Sequence, residues 1–377
     1  MKKTILLFFS LCITVMLQAV NPTTLSVVST AGGLSTAITT AGGNPSTVTS
    51  LTITGTIDAR DFLVMRDNLP ALSVINLSAV TIAAYTGTQG TQGSDNNYVY
   101  AANAIPIEAF YNANTGVNDT ILTSITLPAS VTFIGGGAFA NCYSLTSLTL
   151  PASVTSIGIN AFTNSNALIT VDANNPNFSS ANGVLFNKNK TELIQFPTSI
   201  TGSYVIPSSV NFIEPYAFAV SVLTSVTIPA SVTSIGTAAF ELCLGLTSIY
   251  ANPTTPVNLA LSDSVFSYVN TSSCTLYVPT NSVSSYQAAN QWQDFNIVGT
   301  ATAVQQIKDN VSIFPNPVVD NFNISGLTAP QTLQLFDLNG KLILSQQVDN
   351  GTVPASFLKT GIYILKIGSF ETKLIKQ

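Results

Sequence analysis

The sequence has 377 residues, 46% hydrophobic but only 8% charged, and contains no His. Thr, Ser and Asn (47, 40 and 33 residues) carry the polarity, so the surface is rich in hydroxyls and amides and nearly free of charge. Without His, every Ser-His-Asp or Cys-His catalytic arrangement and every imidazole-ligated metal site is excluded. The formal charge of -5 speaks against nucleic acid, which needs clustered Lys and Arg. No catalytic, cofactor-binding or metal-binding residue is assigned.

Lys2 and Lys3 precede an apolar run over 5–17, closed by Gln18 and the small Ala19. This is the pattern of a secretory signal peptide, residues 1–19, cut after Ala19. A membrane span needs roughly 20 apolar residues, so this run is too short. Later stretches offer no such run, and the mature chain is expected to have no transmembrane span. Three Cys then remain, Cys142, Cys243 and Cys274, which cannot all pair within one chain. Cys142 and Cys243 share one repeat position and read as small buried apolar residues.

Residues 20–121 read as an N-terminal cap and degenerate repeats. An inward frame is visible at Val48/Leu51/Ile53 and Leu72/Ile75/Leu77, so regular coiling is expected to begin near residue 48. Asp58 is placed to cap a helix containing Phe62, Met65 and Leu69, with Asp61 in its first turn. Arg60 and Arg66 interleave with these acids as a solvated face. As an alternative, Asp58, Asp61 and Asp67 would supply paired carboxylates for acid-base chemistry. Residues 85–106, rich in Gly, Thr, Gln and Asn, read as a surface excursion. Its Tyr85, Tyr98 and Tyr100 are candidate contacts, and its Asp95, Asn96 and Asn97 lack the spacing of a calcium loop.

From 122 the chain repeats every 23 residues: LTSITLPASVTFIGGGAFANCYS at 122, LTSLTLPASVTSIGINAFTNSNA at 145 and LTSVTIPASVTSIGTAAFELCLG at 223. Repeats of this length mark a solenoid. Alternation sends Ile125 and Leu127 inward while Ser124 and Thr126 face out, as do Ser147/Thr149 and Ser225/Thr227. Pro128 ends the strand, and Val131, Ile134, Ala138, Phe139 and Cys142 form the opposite wall. Residues 171–197 break the rhythm with a hairpin expected to project from the coil around 187–190. Its Phe186, Lys188 and Lys190 are further candidate contacts, and deleting 180–189 is expected to weaken binding while sparing the fold. Tyr286, Ala289, Trp292 and Phe295 recur every three residues, an amphipathic helix suited to cover the last turn. The spacing and phrases such as LPASVTSIG and AFANC closely resemble the BspA-like leucine-rich repeats of bacterial surface proteins, over 48–299. The solenoid, with inserted hairpin and C-terminal cap, is assigned to 122–299.

Charge shifts near residue 300, where 300–310 reads as a linker. Short alternating runs follow over 311–377, with an Asn339-Gly340 hairpin signal, as in a small antiparallel sandwich. IFPNPVVDNFNI, LQLFDLNGKLI, LKTGIYILKI and KLIKQ resemble the sorting domain of the type IX secretion system. The matched positions are Pro315, Asn316, Pro317, Asp337, Gly340, Gly361, Tyr363, Lys373 and Lys376. The resemblance implies recognition by the type IX secretion machinery and an extracellular or outer-surface destination.

The expected fold is mostly β: a leucine-rich-repeat solenoid with capping segments, followed by a small antiparallel β-sandwich. The expected function is non-catalytic interaction with a host or matrix protein or a glycan, in other words adhesion. The alternatives are an architectural surface-coat component and a carboxylate-based glycan hydrolase, which would need two acids within about 5–10 Å. Asp119-Thr120-Ile121 and Asp263-Ser264-Val265 also resemble bacterial O-glycan acceptor sites.

Overall fold

The computed structural model describes residues 23–92, 96–111, 121–260, 262–300, 311–314, 316–327, 330–337, 340–368 and 370–377. The expected signal segment with Ala19, residues 301–310 of the expected linker, Asp95, Asp119, Thr120, Pro315 and Asn339 lie outside them. Two compact units are present, Met1–Ala301 and Thr302–Gln377. Among the described residues no helix is long and apolar enough to cross a membrane.

The first unit is a coil held by three ladders. Its front ladder is built from parallel strands, beginning with Thr23–Ser29, Val48–Ile57, Val74–Ile82 and Ser124–Thr126 in one sheet. Ser147–Leu150 and Leu168–Val171 follow as a pair. Gly202–Val205, Leu223–Ile228, Ser248–Ala251, Thr275–Pro279 and Asn296–Thr300 then form a five-stranded sheet. On the back, two-residue strands such as Phe133–Ile134 and Ser156–Ile157 pair from turn to turn.

The third ladder runs along the corner that carries the Ala-Phe pair. There the N–H groups of Gly137, Phe139 and Asn141 donate to the carbonyls of Ile159, Ala161 and Thr163. Tyr216, Phe218 and Val220 bond likewise to Thr237, Ala239 and Glu241. Aiming alternate N–H groups at the next turn requires left-handed backbone twice per turn, at 137/141, 160/164, 216/220, 238/242 and 264/268. Gly and Asn fill these positions in the earlier turns, for the conformational reason that favours them there. The Phe side chains stack inside as a spine: Phe110, Phe139 and Phe162 in one run, and Phe196, Phe218, Phe240 and Phe266 in another.

Coiling begins a full turn earlier than the repeat frame suggested. Thr23–Ser29 is already a front strand and Leu34–Thr40 a helix that buries Leu34 and Ile38. At the end of the expected excursion, Ala104–Ile105 is a back strand, and just beyond it Phe110 joins the spine, so a degenerate repeat begins there. Its sequence lacks the Leu-Thr-Ser start that made the other units visible.

The inserted segment is a wall and not a projection. Phe178–Ala181, Val184–Asn187 and Glu192–Gln195 form an antiparallel meander whose last strand rejoins the back ladder beside Phe212–Ile213. Alternation within Val184–Asn187 divides the interior: Leu185 packs with the N-terminal core, Val184 and Phe186 with the C-terminal one. Both faces of that strand are therefore dry, which is why Phe186 is 0% exposed.

At the far end, the single amphipathic helix expected is instead two short segments, the α-helix Val283–Gln287 and the 3-10 turn Trp292–Asp294, separated by Gln291 at φ 63°. Tyr286 donates to the Pro253 carbonyl (2.9 Å) and Trp292 Nε1 to that of Val257 (2.9 Å). These rings thus satisfy carbonyls of an irregular turn that has no repeat above it. The chain then adds one more front strand, Asn296–Thr300, so the helix is a return path and not the terminal lid.

The second unit is an antiparallel sandwich. Ser312–Phe314, Asn321–Ser325 and Gly351–Pro354 form one sheet; Leu342–Val348, Gln331–Phe336, Gly361–Ile367 and Phe370–Lys376 form the other. Phe322, Ile324, Leu333, Leu335, Leu365 and Leu374 fill the space between them.

Candidate interaction surfaces

Hydroxyls divide into two sets. Those at the turn corners bond to the preceding turn: Ser153 Oγ donates to the Val131 and Ala129 carbonyls, Thr155 to Thr132, Ser231 to Val210 and Thr247 to Thr224. Near the two ends of the coil the front strands do the same, Thr54 donating to the Val27 carbonyl and Thr300 to that of Val278, but the outward hydroxyls of the regular turns make no such bond among the described residues. Ser124, Thr126, Ser147 and Thr149 are exposed, and Ser225 and Thr227 are half-buried. No front strand carries Asp, Glu, Lys or Arg.

One outward column departs from hydroxyls. Register aligns Val205, Thr227, Tyr250, Tyr277 and Val298 across the five-stranded sheet. Tyr250 and Tyr277 stack with centroids 4.7 Å apart and planes 10° from parallel. The 23-residue frame does not reveal this pair, because Tyr250 and Tyr277 are 27 residues apart and only the strand register brings them side by side.

Among the loop candidates, Tyr85–Gly87 and Tyr98–Tyr100 pair as an antiparallel hairpin. Tyr100 is buried and stacks on Tyr85 (6.0 Å), whose other neighbour is the Arg60 guanidinium, 4.7 Å from the ring centre. Tyr100 is therefore structural, while Tyr98 is half-exposed and Val99 is 78% exposed at the hairpin. Phe186 belongs to the core, so deletion of 180–189 would open both halves of the interior and not just a loop. The Lys188 ammonium donates to the Asn175 and Ala173 carbonyls and ties the meander to the preceding turn. Lys190 sits half-exposed in the left-handed residue of the following turn.

The N-terminal acids are also occupied. Asp58 caps Ala59–Leu63 and pairs with Arg60 at 2.6 Å. Asp61 is fully buried and accepts from the N–H groups of Gly32 and Asp58 through Oδ2, and of Leu34 through Oδ1. Burial raises its pKa, against the downward pull of those three donors. Arg66 is buried as well, contrary to the solvated face expected: it pairs with Asp67 and donates to the Thr91, Glu108 and Tyr111 carbonyls. Cys142, Cys243 and Cys274 are buried and form no disulfide with one another, and burial pushes the thiols of Cys243 and Cys274 up to about 11. Ser264 of the second glycan-like triplet is exposed at a left-handed corner.

In the sandwich, most motif residues hold the fold. Asn316, which precedes Pro317, bonds the Lys373 carbonyl and the Ile375 N–H, clamping the last strand. Asp337 accepts from Lys341 and, through its carbonyl, from Gly340. Tyr363 donates to the Lys359 carbonyl across the turn before Gly361. The Lys373 side chain is exposed, and the Lys376 ammonium reaches the Gln377 carbonyl.

These geometries agree with known families. Residues 103–205 and 202–311 match the BspA type leucine rich repeat region in six copies, more than half of the chain, and the protein belongs to that family. Residues 312–377 match the secretion system C-terminal sorting domain. No curated protein matches the chain. Similar solved structures include a leucine rich cell surface protein from Faecalibacterium prausnitzii, at 23% identity and TM-score 0.40, covering 68% of this chain. This chain spans 65% of that protein, a little under two thirds. The pneumococcal vaccine antigen PcpA is 17% identical, with TM-score 0.30 and coverage of 67% and 80% of the two chains. A leucine-rich repeat protein from Eubacterium ventriosum is 19% identical, with TM-score 0.30 and coverage of 66% and 79%. The protein is thus an exported, cell-surface or secreted leucine-rich-repeat protein with a type IX sorting domain at residues 312–377.

Proposed function

We propose that the solenoid is a non-catalytic adhesive surface, carried out of the cell by residues 311–377 after removal of 1–19. The observation that carries this reading is the front of the coil: three parallel sheets without Asp, Glu, Lys or Arg, whose outward hydroxyls in the regular turns, Ser124, Thr126, Ser147, Thr149, Ser225 and Thr227, make no hydrogen bond among the described residues. Such a face offers many weak contacts, so copies displayed together gain strength by avidity. Of the three N-terminal carboxylates, Asp58 and Asp61 are engaged in capping, with Asp61 sealed from solvent, and Asp67 pairs with Arg66. Residues 20–377, immobilised in many copies, are expected to capture a matrix protein or glycan from a defined panel, and capture of none would overturn the reading. The hairpin residues Tyr98 and Val99 are a second contact, and their replacement by Ser should reduce capture only of partners that touch that end.

A coat component is the second reading, favoured by the outer edges of Thr23–Ser29 and Asn296–Thr300. Neither has a ladder partner among the described residues, and neither carries the charges that block edge pairing. Sedimentation of the purified chain across a concentration series is expected to reveal head-to-tail association in that case, and a strict monomer would eliminate it.

A further inference from the structure

We propose that the outward face of the last front sheet binds a neutral glycan at Tyr250 and Tyr277, a site that deepens the adhesive reading and rests on it. Two parallel rings with centroids only 4.7 Å apart must overlap face to face, so their normals run along the ladder. The free face of Tyr250 therefore looks across Thr227 toward Val205, and that of Tyr277 toward Val298. Val205 and Tyr250 lie two strand spacings apart, about 10 Å. The small Thr227 between them leaves a notch with one aromatic wall.

The floor and rim of the notch are polar. Beside the tyrosine column runs a second one of Ser203, Ser225, Ser248, Thr275 and Asn296, set by the same register. Among the described residues, the side chains of Ser225, Thr227, Ser248, Thr275 and Asn296 and both tyrosine hydroxyls have no hydrogen-bond partner within the protein. Each of these groups can both donate and accept. The five strands contain no Asp, Glu, Lys or Arg.

This chemistry selects its ligand. Phosphate, sulfate or uronate groups would find no counter-charge here, and a basic ligand would find no carboxylate. A protein interface of ordinary size buries roughly 800 Å² on each side around desolvated anchors, whereas the apolar groups here stand in single file. A neutral pyranose matches both features: its C–H face carries the partial positive charge that the negative ring face attracts, and its hydroxyl rim meets hydroxyl and amide groups. Earlier turns hold Asn76, Thr126, Thr149 and Thr170 in the corresponding column, so the site is confined to the C-terminal sheet.

Affinity electrophoresis of residues 20–377 through gels containing a soluble neutral glucan, mannan or galactan, with polygalacturonate for comparison, tests the site. Retardation by at least one neutral polymer is expected, weakened about tenfold by Tyr250→Ala and kept by Tyr250→Trp. Thr227→Glu fills the notch without altering either ring and should also abolish retardation, while Thr149→Ala should change nothing. Failure of every neutral polymer to retard the chain, binding unchanged in both Tyr250→Ala and Thr227→Glu, or preference for polygalacturonate would each overturn the proposal. Capture of matrix proteins by the same variants judges the broader reading separately. Protein capture without glycan retardation removes only this site, and absence of both removes adhesion as well.

Discussion

The corners and the front strands of each turn use the same residue types to opposite ends. At the corners, Ser153, Thr155 and Ser231 spend their hydroxyls on carbonyls of the turn before, and left-handed residues aim N–H groups at the turn after. On the front, Ser147, Thr149 and Thr227 face solvent with nothing to hold. Stacking therefore depends on the backbone ladders, the corners and the interior, and the outward side chains of the front are free to change without loss of the coil. The Tyr250–Tyr277 pair is what such freedom permits: two Thr-like positions replaced by aromatic rings while the strand register stays intact.

The largest break in that comparison should come from the septum. Phe186→Ala is expected to cost about 3–5 kcal/mol, the range for a buried Phe, seen as a lower urea midpoint of the solenoid transition. Tyr98→Ala, at another of the aromatics expected from sequence to make contacts, should leave that midpoint nearly unchanged. A stable Phe186→Ala protein that merely lost binding would restore the projecting hairpin. Next in size is Asp61→Asn, which turns an amide NH2 or a single oxygen toward three backbone donors. A loss of about 2–3 kcal/mol is expected, and thermal unfolding that begins at the N-terminal end, followed by hydrogen exchange, would locate it there.

Much of this was legible from the 23-residue rhythm. Ile125, Leu127, Val131, Ile134 and Phe139 are buried where alternation and spacing put them, because a repeat imposes one environment on each position. Asp58 capping followed from a single residue type before a helical pattern. What escaped was whatever departs from the average turn. Thr23–Ser29 precedes the first recognisable frame, and Val184–Asn187 is apolar on both faces, which periodicity of two cannot distinguish from an ordinary hairpin. Burial of Arg66 depended on carbonyls 25 to 45 residues away in sequence, a contact that no local pattern reports. Tyr250 and Tyr277 are separated by 27 residues, an irregular repeat length, and only the ladder aligns them.

The corners should also accept improvement. Val220 is β-branched yet held at φ 62°, where Asn141 and Asn164 stand in equivalent turns. Val220→Asn should stabilise the coil by about 1 kcal/mol, the order of the left-handed penalty it relieves. A destabilised variant would mean that the Val220 side chain contributes packing that outweighs its backbone strain. Smaller still is the contrast between Ser153→Ala and Ser147→Ala. The first removes a hydroxyl bonded to two carbonyls and should cost about 1 kcal/mol, whereas the second should fall within about 0.5 kcal/mol of zero. Equal effects would erase the distinction between corner and front.

The last and smallest test uses pH, because carboxylates stand at the corners and back but not on the front strands. Burial, and then the nearby Glu192 carboxylate, raise the pKa of Glu214 above its ordinary 4.5. A carboxyl raised in the folded state favours folding once protonated, so its contribution is complete below the ordinary value and is lost as pH rises through the raised one. Stability should therefore fall on going from acidic toward neutral pH across that window, and Glu214→Gln should remove this part of the slope. Glycan retardation at Tyr250 should stay level over the same range, since no carboxylate or amine lies on those strands. A binding profile that followed the Glu214 titration would mean that front and corner are coupled, and the freedom of the front face would have to be abandoned.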